Sequence, residues 1–193
     1  MGQSEHRFKP ENISKLMSQE RYEKIQPEIL MDALQIDENE VIADLGSGTG
    51  FFTIPLARRT KNKVFAVDIE PRMHVFLKEY AAEQTITNIK TIESNLNVIP
   101  LESNQVDKLL AAFVLHEVDD LEKTLQEISR TVKTSGKIMF IEVNVIETVS
   151  GPPLHIRIPS QKMKQLLEAN HFTDIDIQSF NNDNYYVITG TRS

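Results

Sequence analysis

Cysteine is absent from this chain of 193 residues. Disulfides, thiolate metal sites and cysteine nucleophiles are therefore excluded together. Long apolar runs are missing too, and no uninterrupted stretch approaches the roughly 18 residues needed to span a bilayer. The first residues, Met1 to Arg7, have no apolar core, so they do not read as a secretory signal. Positive charge is in short supply: 21 lysines and arginines stand against 28 acids, a net charge of −7. Phosphate backbones need a basic face, so this balance weighs against a nucleic-acid partner. The length fits one domain, and the apolar and charged fractions are ordinary for a soluble globular protein. Glycine is also sparse, with seven in the chain, yet three of them fall within five residues.

Those three stand in the stretch Val41-Ile42-Ala43-Asp44-Leu45-Gly46-Ser47-Gly48-Thr49-Gly50-Phe51-Phe52. Val41 to Leu45 reads as a short buried strand of a parallel sheet. Phe51 to Arg59 reads as a helix, with Pro55 in the early turns where a missing N–H is least harmful. Between them the chain must turn sharply and let something approach its backbone, which glycine allows. The free N–H groups and positive dipole end of the helix favour an anionic group there. The dinucleotide fingerprint is G-x-G-x-x-G, but here the third glycine comes one residue early. Asp44, two residues before the first glycine, would repel a pyrophosphate and suits a ligand that carries an ammonium as well as a carboxylate. No lysine follows the glycines, so a P-loop is excluded.

This combination resembles the first motif of the class I S-adenosylmethionine-dependent methyltransferases, whose cofactor lays its methionine end over the glycine loop. Asp44, Gly46, Gly48 and Gly50 match that motif position by position, and Ser47 lies within it. The absence of cysteine then excludes methyl transfer that runs through thiols. Lys63 to Asp68 is a second buried strand ending in an acid, 18 residues beyond Gly50. A carboxylate there can accept from both ribose hydroxyls. Asp68 also admits a reading as a helix cap, because Pro71 marks a helix start. The resemblance gives Asp68 the ribose and lays Ile69 against the adenine. After the third strand, Asn88 to Glu93, it places Asn95 at the adenine amino group, where the family commonly has Asp. Leu96 is the apolar wall, its N–H donating to the ring.

Val106 to Ala112 reads as the fourth strand, and Phe113-Val114-Leu115-His116-Glu117-Val118 is similar to a stretch of the ubiquinone/menaquinone type. The resemblance makes Phe113 a cofactor contact. His116, with an ordinary pKa near 6.5, is the candidate general base, and Glu117 its candidate partner. Thr134-Ser135-Gly136 is expected to turn into a fifth strand, Lys137 to Val143, and Ser160 to cap a helix through Asn170. A hairpin, Phe172 to Phe180 and Tyr185 to Thr191, follows around an Asn/Asp-rich turn.

The fold implied is α/β, a Rossmann-like seven-stranded mixed sheet in order 3-2-1-4-5-7-6, strand 7 antiparallel, with helices on both faces. One methyltransferase domain would cover 1–193. Its helical segment 1–35 is expected to fold over the ligands, with Phe8, Met17 and Tyr22 as lid candidates. The proline-rich stretch 144–159 is expected to cover the substrate. Tyr22, Glu142 and His155 are candidate substrate contacts, with Arg157 beside them.

The expected activity is direct displacement of a methyl group from S-adenosyl-L-methionine to an O, N or C nucleophile of a small molecule, leaving S-adenosyl-L-homocysteine. No metal, nucleic acid or membrane span is expected, and a cytoplasmic monomer or homodimer is. Two rivals stand beside this reading: a non-catalytic cofactor-binding or regulatory protein, and an NAD-linked oxidoreductase. The glycine spacing and Asp44 speak against the second.

Overall fold

The computed structural model of the protein describes residues 16–148 and 151–193. The expectations for Phe8 and for most of the helical stretch 11–17 lie outside the described residues. Among the described residues two helices precede the sheet, α1 (Gln19–Ile25) and α2 (Pro27–Asp32). Gln26 separates them in a left-handed conformation, φ 50°, and Pro27 opens α2 where no N–H is needed. The alternation that follows is β1 (Ile42–Leu45), α3 (Thr53–Arg59), β2 (Val64–Asp68), α4 (Pro71–Glu83), β3 (Ile89–Glu93) and β4 (Val106–Ala112). Then come α5 (Leu121–Thr131), β5 (Val132–Val143), α6 (Ser160–Ala169), β6 (Phe172–Phe180) and β7 (Tyr185–Arg192).

The seven strands form one sheet in the order β3-β2-β1-β4-β5-β7-β6. The pairs from β3 to β5 are parallel, while β7 runs antiparallel to both β5 and β6. Strand alternation explains why helices cover both faces. In β5, Ile138 and Phe140 join one core cluster with Leu125 and Ile128 of α5 and Met163 and Leu167 of α6. Met139 and Ile141, one residue out of phase, join the other with Ile25, Met31 and Leu56. Each fully buried side chain of this kind contributes about 1.5–3 kcal/mol. Among the described residues no helix is long and apolar enough to cross a membrane.

Two local expectations are corrected. The fifth strand starts at Val132, directly after α5, because Val132 pairs with Val106. Thr134-Ser135-Gly136 is an irregularity inside that strand, and the register shifts from Val106↔Val132 to Lys108↔Lys137 across it. At α6, Pro159 is the cap residue and Ser160 is the first helical residue, with no side-chain cap bond. The strand order reverses between β1 and β4, which opens a crevice beyond their carboxyl ends.

Candidate active site

That crevice is a cavity of about 1340 Å³. Drug-sized ligands occupy roughly 300–1,000 Å³, so it has room for a nucleoside cofactor and an acceptor together. Its floor is the glycine loop between β1 and α3, and Gly46, Ser47, Gly48 and Thr49 line it. Gly46 and Gly50 have φ +68° and +95°; a Cβ on Gly46 would lie 2.5 Å from Val114 Cγ2, and one on Gly50 would collide with Leu77 Cδ1. Those two glycines serve backbone conformation and packing. At Gly48 the nearest atom to an added Cβ is Leu16 Cδ1, 3.9 Å away, so its missing side chain leaves open cavity. The Ser47 and Thr49 hydroxyls are buried, and neither has a hydrogen-bond partner among the described residues. Buried polar atoms left in this way ordinarily have a partner. Both hydroxyls fit the carboxylate-bearing end of the cofactor that the sequence resemblance implies.

Asp44 is 2% exposed and stands behind the wall, not on it. Its Oδ2 accepts from the Thr53 hydroxyl at 2.6 Å, which ties the end of β1 to the start of α3. Burial pushes its carboxyl up from 3.8 to about 7, opposed by the Thr53 bond and reinforced by the negative charge of Asp68. Between those two values the folded protein holds a proton that the unfolded chain has released, so this group makes stability fall as pH rises across the window. Asp44→Asn removes the titration and lets Thr53 keep an acceptor. Thermal melts of the ligand-free proteins should show the variant gaining on wild type from about pH 4 to pH 7. A constant difference across that range would contradict a raised carboxyl.

Asp68 does line the cavity, at the carboxyl end of β2. It is not the cap of α4, a role that Glu70 takes by accepting from the Arg72 N–H. Asp68 Oδ2 accepts from the Gly48 N–H at 2.8 Å and Oδ1 from the Glu70 N–H at 2.9 Å. Each oxygen keeps a second lone pair for a ligand hydroxyl. Ile69, Asn95 and Leu96 stand on the same wall. Asn95 Oδ1 accepts from the Asn97 N–H at 3.1 Å, and the Leu96 N–H already donates to Ser94 Oγ at 3.1 Å. A donor role for the Leu96 N–H would therefore be shared with Ser94.

On the other side of β1, the end of β4 turns through Phe113, φ 57°, into a 3-10 turn, Leu115–Glu117. Phe113, His116 and Glu117 all line the cavity. Behind the turn lies Glu142, 1% exposed, which accepts from the Leu115 N–H at 2.9 Å and contacts His116 Nδ1 at 2.6 Å. The expected substrate contact Glu142 is thus off the cavity wall, because its place in β5 turns it onto His116. With Nδ1–H donated to Glu142, Nε2 is the acceptor; it lies 3.7 Å from Glu117 Oε1. Burial alone would lower the His116 pKa, and Arg157 opposes protonation too, but Glu142 and Glu117 together hold it above 6.5.

The remaining candidates sit elsewhere. Tyr22 and His155 are not among the lining residues; Tyr22 is 41% exposed and meets the Phe51 ring edge-on. Met17 packs against the apolar cluster beneath. Arg157 is a staple, its guanidinium donating to the carbonyls of Asn144, Ile146 and Pro152 and to the Thr148 hydroxyl. It gathers the loop so that Glu147, Gly151, Pro152 and Pro153 reach the cavity. Sequence reasoning missed Thr49, Arg21 and Tyr185, which also line it. Thr49 was within the glycine motif, whereas Arg21 sat in a helix whose apolar side drew the attention.

A family model described as a methyltransferase domain matches residues 43–140. An uncharacterized methyltransferase-like protein of Schizosaccharomyces pombe is 32% identical over 124 residues, 61% of this chain and 46% of its own length. A demethylmenaquinone methyltransferase of Geobacillus is 28% identical over 116 residues, 59% of this chain and 50% of its own length. The chain thus spans about half the length of these curated relatives. The crystal structure of a SAM-dependent methyltransferase from Aquifex aeolicus superposes with a TM-score of 0.89 at 25% identity, covering 97% of this chain and 100% of its own. Family model, sheet order and solved neighbour agree: the chain belongs to the methyltransferase domain family, among the class I S-adenosylmethionine-dependent methyltransferases.

Proposed function

We propose that the protein transfers a methyl group from S-adenosylmethionine to a small-molecule acceptor, with His116 taking the acceptor's proton. One observation carries the reading: Ser47 and Thr49, whose buried hydroxyls have no partner among the described residues, and the Glu142-held His116 line one cavity. In this reading Ser47, Gly48 and Thr49 hold the methionine end, Asp68 the ribose, and Ile69, Asn95 and Leu96 the adenine. The cofactor brings a methyl group on a sulfonium, already activated for in-line displacement by an O, N or C nucleophile. Residues of the chain then mainly align two partners, an effect able to supply about 7–11 kcal/mol. His116 Nε2 accepts the proton that the nucleophile loses, and Glu142 keeps Nδ1 protonated so that Nε2 stays free. Asp68 puts a carboxylate on the cavity wall, which suits a cationic cofactor. Segments 16–25, 147–148 and 151–153 act as its cover.

Calorimetric titration with S-adenosylhomocysteine is the first test. Saturable binding at one site per chain is expected, with no heat from NAD. Folded protein that fails to bind would overturn the proposal. If it binds, screening with methyl-labelled donor identifies the acceptor.

A further inference from the structure

Arg21, on α1, lines the cavity and plays no part in the chemistry above. Its guanidinium carbon lies 4.4 Å from the centroid of the Phe51 ring and 5.7 Å from that of Phe113. Such stacking holds a guanidinium flat and leaves its edge free to donate. Among the described residues the guanidinium makes one hydrogen bond, from Nη1 to the Leu16 carbonyl at 3.0 Å. Among the described residues no carboxylate comes within ion-pair distance of it, and neighbouring Glu20 is engaged by Lys24 at 2.5 Å. Burial pulls the Arg21 pKa down to about 10, opposed by Tyr185. A largely buried cation with most of its five donors unused among the described residues is matched to an anion.

The rings around it extend this subsite. Phe51, Phe52, Phe113 and Tyr185 line the cavity as a continuous series, with successive centroids between 5.0 and 6.4 Å apart. Sheet order separates its Phe113–Tyr185 end from the adenosine side. Asp68 ends β2 and Asn95 follows β3, on one side of β1; Phe113 follows β4 and Tyr185 opens β7, on the other. In the methyltransferase reading the glycine loop, Ser47 to Thr49, holds the carboxylate of the cofactor, and the buried Ser47 and Thr49 hydroxyls have no partner among the described residues. The anion facing Arg21 is then the acceptor's.

We infer that Arg21 and this ring wall form the acceptor subsite, and that the acceptor is an aromatic molecule carrying a carboxylate, paired edge-on with the guanidinium. The inference rests on the methyltransferase reading for the word acceptor, though the anion site stands on its own geometry.

Benzoate and its neutral isostere benzamide are the probes, titrated into protein saturated with S-adenosylhomocysteine. Wild type is expected to bind benzoate at least tenfold more tightly than benzamide. Arg21→Gln should level the two, Arg21→Lys should keep part of the preference, and S-adenosylhomocysteine affinity should stay within twofold in both. Absence of a preference in wild type, or its survival in Arg21→Gln, overturns the proposal. So does a tenfold loss of S-adenosylhomocysteine affinity in Arg21→Gln with methylthioadenosine unaffected, which would assign the guanidinium to the cofactor's carboxylate. Should wild type bind no S-adenosylhomocysteine, the methyltransferase reading fails separately, and the same comparison on the free protein still decides the anion site.

Discussion

Replacing Asp68 by alanine is expected to weaken S-adenosylhomocysteine binding about 100-fold, since hydrogen bonds to a charged group contribute about 1.5–3 kcal/mol each. Two effects add. The ribose loses its acceptor, and the Gly48 and Glu70 N–H groups lose theirs. The second effect loosens the glycine loop itself, because Gly48 is the residue whose open side admits the ligand. A double-mutant cycle separates them: an analogue lacking the 2′-hydroxyl should lose affinity in wild type and much less in Asp68→Ala. Equal losses in both proteins would show that Asp68 only shapes the loop. Thermal melts of the variant check that the fold survives. Asp68→Asn should fall between, since the amide oxygen serves one N–H while its NH₂ faces the other.

The glycine loop was legible in the sequence because every requirement it meets is local. A strand that ends at Leu45, a turn through Gly46 and Gly50, and a helix that reads from Phe51 in the sequence and begins at Thr53 in the structure all follow from neighbours in the chain. Strand order and the antiparallel β7 came through the resemblance. Asp68 had two readings, and only the three-dimensional position of Glu70 as the cap separates them. Glu142 was harder. Parity along β5 puts it in phase with Ile138 and Phe140, facing the interior, where an acid needs a partner. That partner, His116, is 26 residues away and arrives only through the parallel register of β4 with β5. Arg21 was illegible for a similar reason: its environment comes from Phe51 before α3, Phe113 after β4 and Tyr185 of β7, three separate segments. Arg157 illustrates the converse, a cation in a loop that reads as a ligand contact until its four acceptors are seen to be the loop's own.

His116→Gln is expected to lower kcat by about 10²–10⁴-fold toward an acceptor whose nucleophile carries a proton, the usual size of a general-base contribution. S-adenosylhomocysteine affinity should change less than twofold. A normal kcat in the variant would leave His116 as a wall residue and sink its role as base. Glu142→Gln tests the positioning residue through a quantity that a packing role would not move. In wild type Glu142 holds the His116 midpoint above 6.5, and activity should rise with pH through that midpoint as Nε2 becomes free. Without the Glu142 carboxylate, burial and Arg157 favour the neutral ring and Glu117 still opposes them, so the midpoint moves to lower pH by the share that Glu142 supplied. The plateau should nevertheless drop. The new amide can donate to Nδ1 as readily as accept from it, and a ring that accepts at Nδ1 carries its proton on Nε2, where the acceptor's proton must go. The imidazole resonances of the five histidines, with His116→Gln to assign one of them, follow the midpoint directly without an acceptor. A midpoint unmoved by Glu142→Gln would mean that the 2.6 Å contact orders the turn at Leu115 and does not tune the base.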